Sequence, residues 1–125
     1  GDALGFLDPV FSSGVFLALK SGVLLADEID QALKTGDPIT SSSFENYGKR
    51  MQSSIETMRK IVYAFYDPDF SFGDLVKRGD HLRSALTDCL IGNVDDQDFQ
   101  ELFDSMADLA KLPEPVEHGL AQASS

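Results

Sequence analysis

Tryptophan is absent from this chain, and the residues that carry most metal and thiol chemistry are scarce: one cysteine, Cys89, and two histidines, His81 and His118. A lone thiol excludes an intrachain disulfide and any zinc centre built on several cysteines. Neither histidine has a partner at metal-ligand spacing, so no metal is expected. Positive charge is also short, with 10 Lys+Arg against 21 Asp+Glu and a formal net charge of -11. That balance excludes nucleic acid as a partner, because phosphates demand a surplus of Lys and Arg. It equally disfavours an anionic membrane surface. No apolar run reaches the roughly 20 residues of a membrane span. A basic n-region is missing and Pro9 breaks the first apolar stretch, so no signal peptide is read. What is present is a globular composition, 42% apolar over 125 residues, enough for one modest core. With a single thiol, a reducing cytoplasmic setting is the default expectation.

The order of residues predicts a mainly helical chain with few or no strands. Residues 1–13 are punctuated by Gly, Pro and Ser and read as a loop, Ser12 or Ser13 being suited to cap the helix that follows. That helix runs from Gly14 to Thr35, is apolar almost all round up to Ala26, and so is expected to be buried on most sides. Gly36 and Asp37-Pro38 end it. Ser42 and Glu45 have capping-box spacing. Phe44, Tyr47, Met51, Ile55, Met58, Val62 and Phe65 then recur at steps of three and four, predicting a long amphipathic helix that stops near Tyr66 before Asp67-Pro68. Residues 67–80 read as mixed, with 67–73 a loop carrying two exposed aromatics, Phe70 and Phe72. A helix over 80–90, a Gly92-Asn93 turn and a last helix over 95–111 follow, then a frayed tail from Pro113.

Candidate chemistry is thin along most of this length. His81, beside Asp80 and near Arg83, reads as a surface residue, and Cys89 among Leu86, Leu90 and Ile91 as a packing residue. The carboxylates at 95, 96, 98 and 101 lack the spacing and central glycine of a calcium loop. Phe70 and Phe72 either line a substrate cavity or cap the edge of the long helix. Tyr63, Phe65 and Tyr66 are either a pocket wall or helical core. The opening segment is different. Its glycines, Pro9 and a Ser-Gly helix start allow close backbone approach to a ligand, and a helix N-terminus can hold an anion or an electron-rich carbonyl.

The block Gly1-Asp2-Ala3-Leu4-Gly5-Phe6-Leu7-Asp8-Pro9-Val10-Phe11-Ser12-Ser13-Gly14-Val15 resembles the second FAD-binding motif of the flavoprotein monooxygenase superfamily. The branch it is most similar to is that of the flavin-dependent halogenases and geranylgeranyl-reductase-like oxidoreductases. The segment from Phe65 to Phe72 resembles the C-terminal region of the halogenase-like group more loosely. The resemblance implies FAD as cofactor, with Gly1 and Asp2 at the ribityl chain, Pro9 beside the flavin, and the Ser13-Gly14 amides at its pyrimidine edge. Ser13 and Gly14 are also the implied halide candidates. Tyr63, Tyr66, Phe70 and Phe72 become candidates for contact with a small-molecule substrate.

The glycine-rich unit that holds the ADP half of FAD does not occur in these residues. With the abrupt Gly1-Asp2 opening, this predicts the C-terminal helical portion of a larger FAD-binding α/β oxidoreductase, inactive without its N-terminal FAD-binding part. Residues 1–36 would form the flavin motif and its helix, 37–112 a substrate-side subdomain, and 113–125 a tail. The competing reading is a free-standing acidic interaction module that uses the stripe over 44–65 to bind a partner helix. Association of the chain with itself through exposed helix faces is possible under either.

Overall fold

A computed structural model of the chain describes residues 12–94 and 98–115. Helix α1 spans Ser13–Thr35, α2 Glu45–Tyr66, α3 Phe72–Lys77, α4 Asp80–Leu90 and α5 Gln100–Ala107, with one 3₁₀ turn at Ser41–Phe44. There is no strand among the described residues, so the expectation of a mainly helical chain holds.

Helix α1 stops where glycine lets it. Gly36 takes φ 73° and its N–H returns to the Ala32 carbonyl at 3.1 Å, a left-handed closure that a Cβ would oppose. Its start departs from expectation. Ser12 sits at the cap position with φ 54° and ψ 25°, and neither its hydroxyl nor that of Ser13 caps the helix. The capping box expected at Ser42 and Glu45 is also displaced: the Thr40 N–H donates to Ser43 Oγ at 3.2 Å. The intervening 3₁₀ turn tightens the chain and aligns residues three apart before the α-helix begins.

Helices α1 and α2 form an antiparallel hairpin. Asn46 donates to Glu28 Oε1 at 2.7 Å, and the Ser21 and Tyr47 hydroxyls share a hydrogen bond at 2.7 Å. Between them Leu17 and Leu24 meet Met51, Ile55 and Met58, with Phe16 and Tyr47 at the edge. Part of the periodic stripe of α2 is thus filled from within the chain. The stripe also fades at its ends, since Phe44 and Tyr47 are half-buried and Phe65 is exposed. Ser54, Thr57, Ile61 and Ala64 are buried as well, so α2 has a second covered face that the apolar spacing does not show.

Ile61 and Ala64 enter the larger core, with Leu75 of α3, Leu82, Leu86 and Cys89 of α4, and Leu102, Phe103 and Met106 of α5. Helix α3 begins inside the loop expected over 67–73. Ser71 Oγ accepts the Asp74 N–H at 3.3 Å, which gives this short segment its start, while Leu75 is fully buried and holds it down. Helix α5 is shorter than the predicted 95–111. Asp98 Oδ1 takes the Gln100 N–H at 2.8 Å at its start. At its end the Leu109 and Ala110 amides both return to the Met106 carbonyl and turn the chain out of the helix. Lys111 is therefore no helix-end cation; its backbone N–H donates to Asp67 Oδ2 at 3.0 Å instead.

The turn after α4 docks onto α1. Gly92 has φ 81°, and a Cβ there would overlap the Phe16 ring. Lys20 Nζ lies 5.5 Å from the centre of that ring and donates to the Gly92 carbonyl at 3.4 Å. Gly92→Ala is expected to cost about 1–2 kcal/mol for the left-handed backbone and about 1–3 kcal/mol for the overlap. In a Phe16→Ala background the second part should disappear; urea unfolding of the four-member cycle measures it, and additivity would contradict the contact.

Two further expectations concern titratable groups. Burial pushes the Cys89 thiol up to about 12, helped by the Asp88 charge, so iodoacetamide should modify it only once urea unfolds the chain. Alkylation of the native chain at the rate of a free thiol would contradict this. The Asp67 carboxylate is held below its ordinary value by the Lys111 amide first and the Asp69 amide second. A depressed carboxylate stabilises the fold above its unfolded-state pKa and loses that contribution as pH falls through the folded-state value. Asp67→Ala should therefore lower the melting temperature at pH 7, with the gap to wild type closing in acid. A gap that is independent of pH would show that the charge is not what matters.

Candidate functional site

The start of α1 carries the first set of candidates. Gly1, Asp2 and Pro9 lie outside the described residues; Ser13 and Gly14 lie inside them. Ser13 is 2% exposed, and its hydroxyl has no hydrogen-bond partner among the described residues. Burying such a group unpaired costs about 1–3 kcal/mol. Gly14 is exposed, and no described residue stands where a Cβ would lie. Among the described residues no side chain caps this end of the helix, whose first amides carry a partial positive charge. Ser12, immediately before, holds the left-handed conformation that few non-glycine residues adopt. An electron-rich oxygen or an anion fits this terminus chemically: donors are present, and among the described residues one hydroxyl lacks a partner and nothing stands beside Gly14.

The second set is aromatic and sits where α2 ends. Asp67 makes the turn, accepting the Phe70 N–H on its carbonyl at 3.1 Å and the Asp69 N–H on its carboxylate at 3.0 Å. The chain thereby folds back, and Phe70 and Phe72 pack edge to face with ring centres 4.8 Å apart. Both are half-buried against the larger core, a correction to their expected exposure. Phe65 joins Tyr66 to Phe72, its ring 5.6 Å from the first and 6.4 Å from the second. Tyr66, Phe65, Phe72 and Phe70 therefore form one continuous row. Tyr63 stands a turn earlier on α2 with the Arg59 guanidinium 5.6 Å from its ring centre. Tyr63 and Tyr66 are 52% and 57% exposed, so the helical-core reading of these residues is set aside; they form an accessible aromatic surface.

The antiparallel hairpin puts the N-terminus of α1 and the C-terminus of α2 at the same end of the molecule. The two sets of candidates, 50 residues apart in sequence between Ser13 and Tyr63, are thereby brought to one end of the fold.

Sequence reasoning missed a cavity of about 210 Å³ between α2 and α5, lined by Ser53, Glu56, Thr57, Lys60, Gln100 and Phe103 among others. The ammonium of Lys60 lies 4.4 Å from the centre of the Phe103 ring. Its signal was the polar row at 53, 56, 57 and 60, one turn apart on a helix, which is indistinguishable from a solvated face until α5 is in place. His81 is an exposed residue whose Nε2 lies 3.0 Å from Glu101 Oε1, linking α4 to α5. Among the described residues no cluster of His, Cys, Asp or Glu could hold a metal ion. No described helix is long and apolar enough to cross a membrane.

No protein-family model matches the chain, and no solved structure matches it significantly. Over 119 residues, 94% of its length, the chain is 30% identical to the 1H-pyrrole-2-carbonyl-(peptidyl-carrier protein) chlorinase of Pseudomonas fluorescens, 26% of which the match covers. It is 54% identical over 37 residues to the corresponding brominase of Pseudoalteromonas luteoviolacea, a stretch that is 30% of this chain and 9% of that enzyme. The chain thus spans about a quarter of the length of the first of these relatives, and nearly all of the chain takes part in the match. The proteins to which it is similar are halogenases.

Proposed function

We propose that this chain is the C-terminal part of an FAD-dependent halogenase, supplying contacts to the flavin and one side of the substrate site. The observation that carries this reading is the match to a chlorinase along 94% of the chain, joined to the buried Ser13 hydroxyl, which has no partner among the described residues. FAD, when bound to the complete enzyme, supplies the redox chemistry that activates the halide. In that enzyme Gly1, Asp2 and Pro9 would contribute to holding the flavin, Asp2 as an acceptor for hydroxyls of the ribityl chain. The Ser13 and Gly14 amides would serve as donors to its pyrimidine edge, since the positive end of a helix favours the extra charge of the reduced cofactor. The same two residues are the candidates for holding halide, with the Ser13 hydroxyl as a further donor.

The relatives are named for a pyrrole-2-carbonyl group carried on a peptidyl carrier protein. A flat, electron-rich ring of that kind suits the aromatic surface of Tyr63, Tyr66, Phe70 and Phe72, which offers both ring faces and hydroxyl groups. These residues orient and desolvate the ring; none of them moves a proton or forms a bond. The partner this reading requires is the N-terminal FAD-binding part of the same polypeptide, in a cytoplasmic setting, with neither nucleic acid nor a membrane span involved.

The complete gene product should purify yellow and, given chloride or bromide, a flavin reductant, oxygen and a pyrrolyl-loaded carrier protein, should exchange ring hydrogen for halogen as read by mass spectrometry. Asp2→Ala should weaken flavin retention about tenfold, the scale of one lost hydrogen bond to a charged group. A colourless protein with no halogenated product would overturn the assignment.

A further inference from the structure

The expected burial of α1 on most sides is only half realised in this chain. Ser13, Leu17 and Leu24 face inward. The opposite side shows Val15, Leu19 and Val23 at 67%, 68% and 62% exposure. Ala18, Gly22 and Ala26 are exposed between them. These six residues recur at steps of three and four, which places them on a single face of the helix. The one charged residue between Val15 and Ala26 is Lys20, and it turns away, toward the Gly92 carbonyl. Aliphatic side chains alternate with small ones along the ridge, and the space beside Gly22 is open. A partner backbone can therefore approach α1 closely, while Val15, Leu19 and Val23 insert on either side.

We infer that this ridge is the seat of the FAD-binding part of the same polypeptide, to which it presents an uncharged aliphatic surface. The inference rests on the halogenase reading and names the surface by which the two parts hold together. Two observations favour this occupant over a second copy of the chain. Twelve residues of helix at 1.5 Å per residue, about 10 Å wide, give a strip of roughly 200 Å², against about 800 Å² per partner in a stable complex. So small a patch holds a covalently connected neighbour, which pays no translational entropy on docking, far better than a free one. In addition, the chlorinase relative extends well beyond the matched quarter of its length, and the ridge begins at Val15, the last residue of the block that resembles the flavin motif. One helix would then point its N-terminus at the cofactor and clamp the part that carries it.

Leu19→Glu combined with Val23→Glu tests this in two settings. In the 125-residue chain the pair should leave the melting temperature unchanged, since both side chains are exposed there. In the complete gene product it should speed tryptic separation of the two parts about tenfold or more, whereas Leu19→Met should behave as wild type. Wild-type protease resistance in the double Glu variant overturns the inference. So does a stable dimer of the 125-residue chain by light scattering that the Glu pair breaks while the complete protein is indifferent. A complete protein that lacks flavin but is opened by the Glu pair upholds the interface and overturns the flavin reading alone.

Discussion

Helix α2 is covered on two sides, and the rest of the architecture depends on that double burial. Met51, Ile55 and Met58 close one core with α1, while Ile61 and Ala64 close the other with α3, α4 and α5. A helix with one apolar stripe supports one layer; to support two it must bury residues that are small or only weakly polar. Ser54, Thr57 and Ala64 meet that need. Larger side chains at those places would hold the neighbouring helices apart, because interhelical distances of about 8–10 Å are set by what stands at the contact. Ser54 carries a cost, since its buried hydroxyl has no partner among the described residues.

Three tethers then fix the layers relative to one another. The Phe16 ring on Gly92, with Lys20 on the Gly92 carbonyl, ties the α4 turn to α1. The segment after α5 returns to α2 through the Lys111 amide on Asp67 and through Arg59, which donates to the Glu114 carbonyl and pairs with Glu56 at 3.0 Å. Arg78 reaches Asp108 at 3.2 Å across the exposed rim, where a pair contributes little beyond orientation. The Asp67 carboxylate serves two ends at once. It shapes the turn that brings Phe70 and Phe72 back onto α2, and it anchors the chain leaving α5. The aromatic row is held in place by the same residue that closes the larger core.

Much of this was legible because the sequence punctuates its helices with residues whose backbone behaviour is strongly restricted. Gly36, Pro38 and Pro68 mark ends that the structure keeps, and α4 covers the expected 80–90. Elsewhere local signals were outweighed. Helix α3 is only six residues long, too short for periodicity to register, and its evidence is the Ser71 to Asp74 bond together with one buried leucine. Helix α5 is shorter because Asp98 takes the Gln100 amide at its start and the chain turns early, where Lys111 reaches Asp67. The second face of α2 consists of the residue types that a hydropathy pattern discounts. At the candidate site the types were legible, as aromatics beside a Pro turn and a Ser-Gly helix start, but their exposure was not. Phe70 and Phe72 proved half-buried and Tyr63 and Tyr66 open, since which ring faces water depends on how Asp67 turns the chain.

The N-terminus of α1 gathers unfavourable features in one place. Ser12 is left-handed, the adjoining helix face is apolar and exposed, and among the described residues the buried Ser13 hydroxyl has no partner and the first turn no side-chain cap. Backbone strain of this kind costs about 1–3 kcal/mol and persists where surrounding structure or function maintains it. A single proposed arrangement would relieve the others: a cofactor edge accepting from the Ser13 and Gly14 donors, and the part that carries it seated on Val15, Leu19 and Val23. Under that arrangement the two compensations reinforce each other. Docking the apolar ridge would exclude water from the helix start and strengthen each hydrogen bond made there, and those bonds would in turn fix the register in which the ridge is docked.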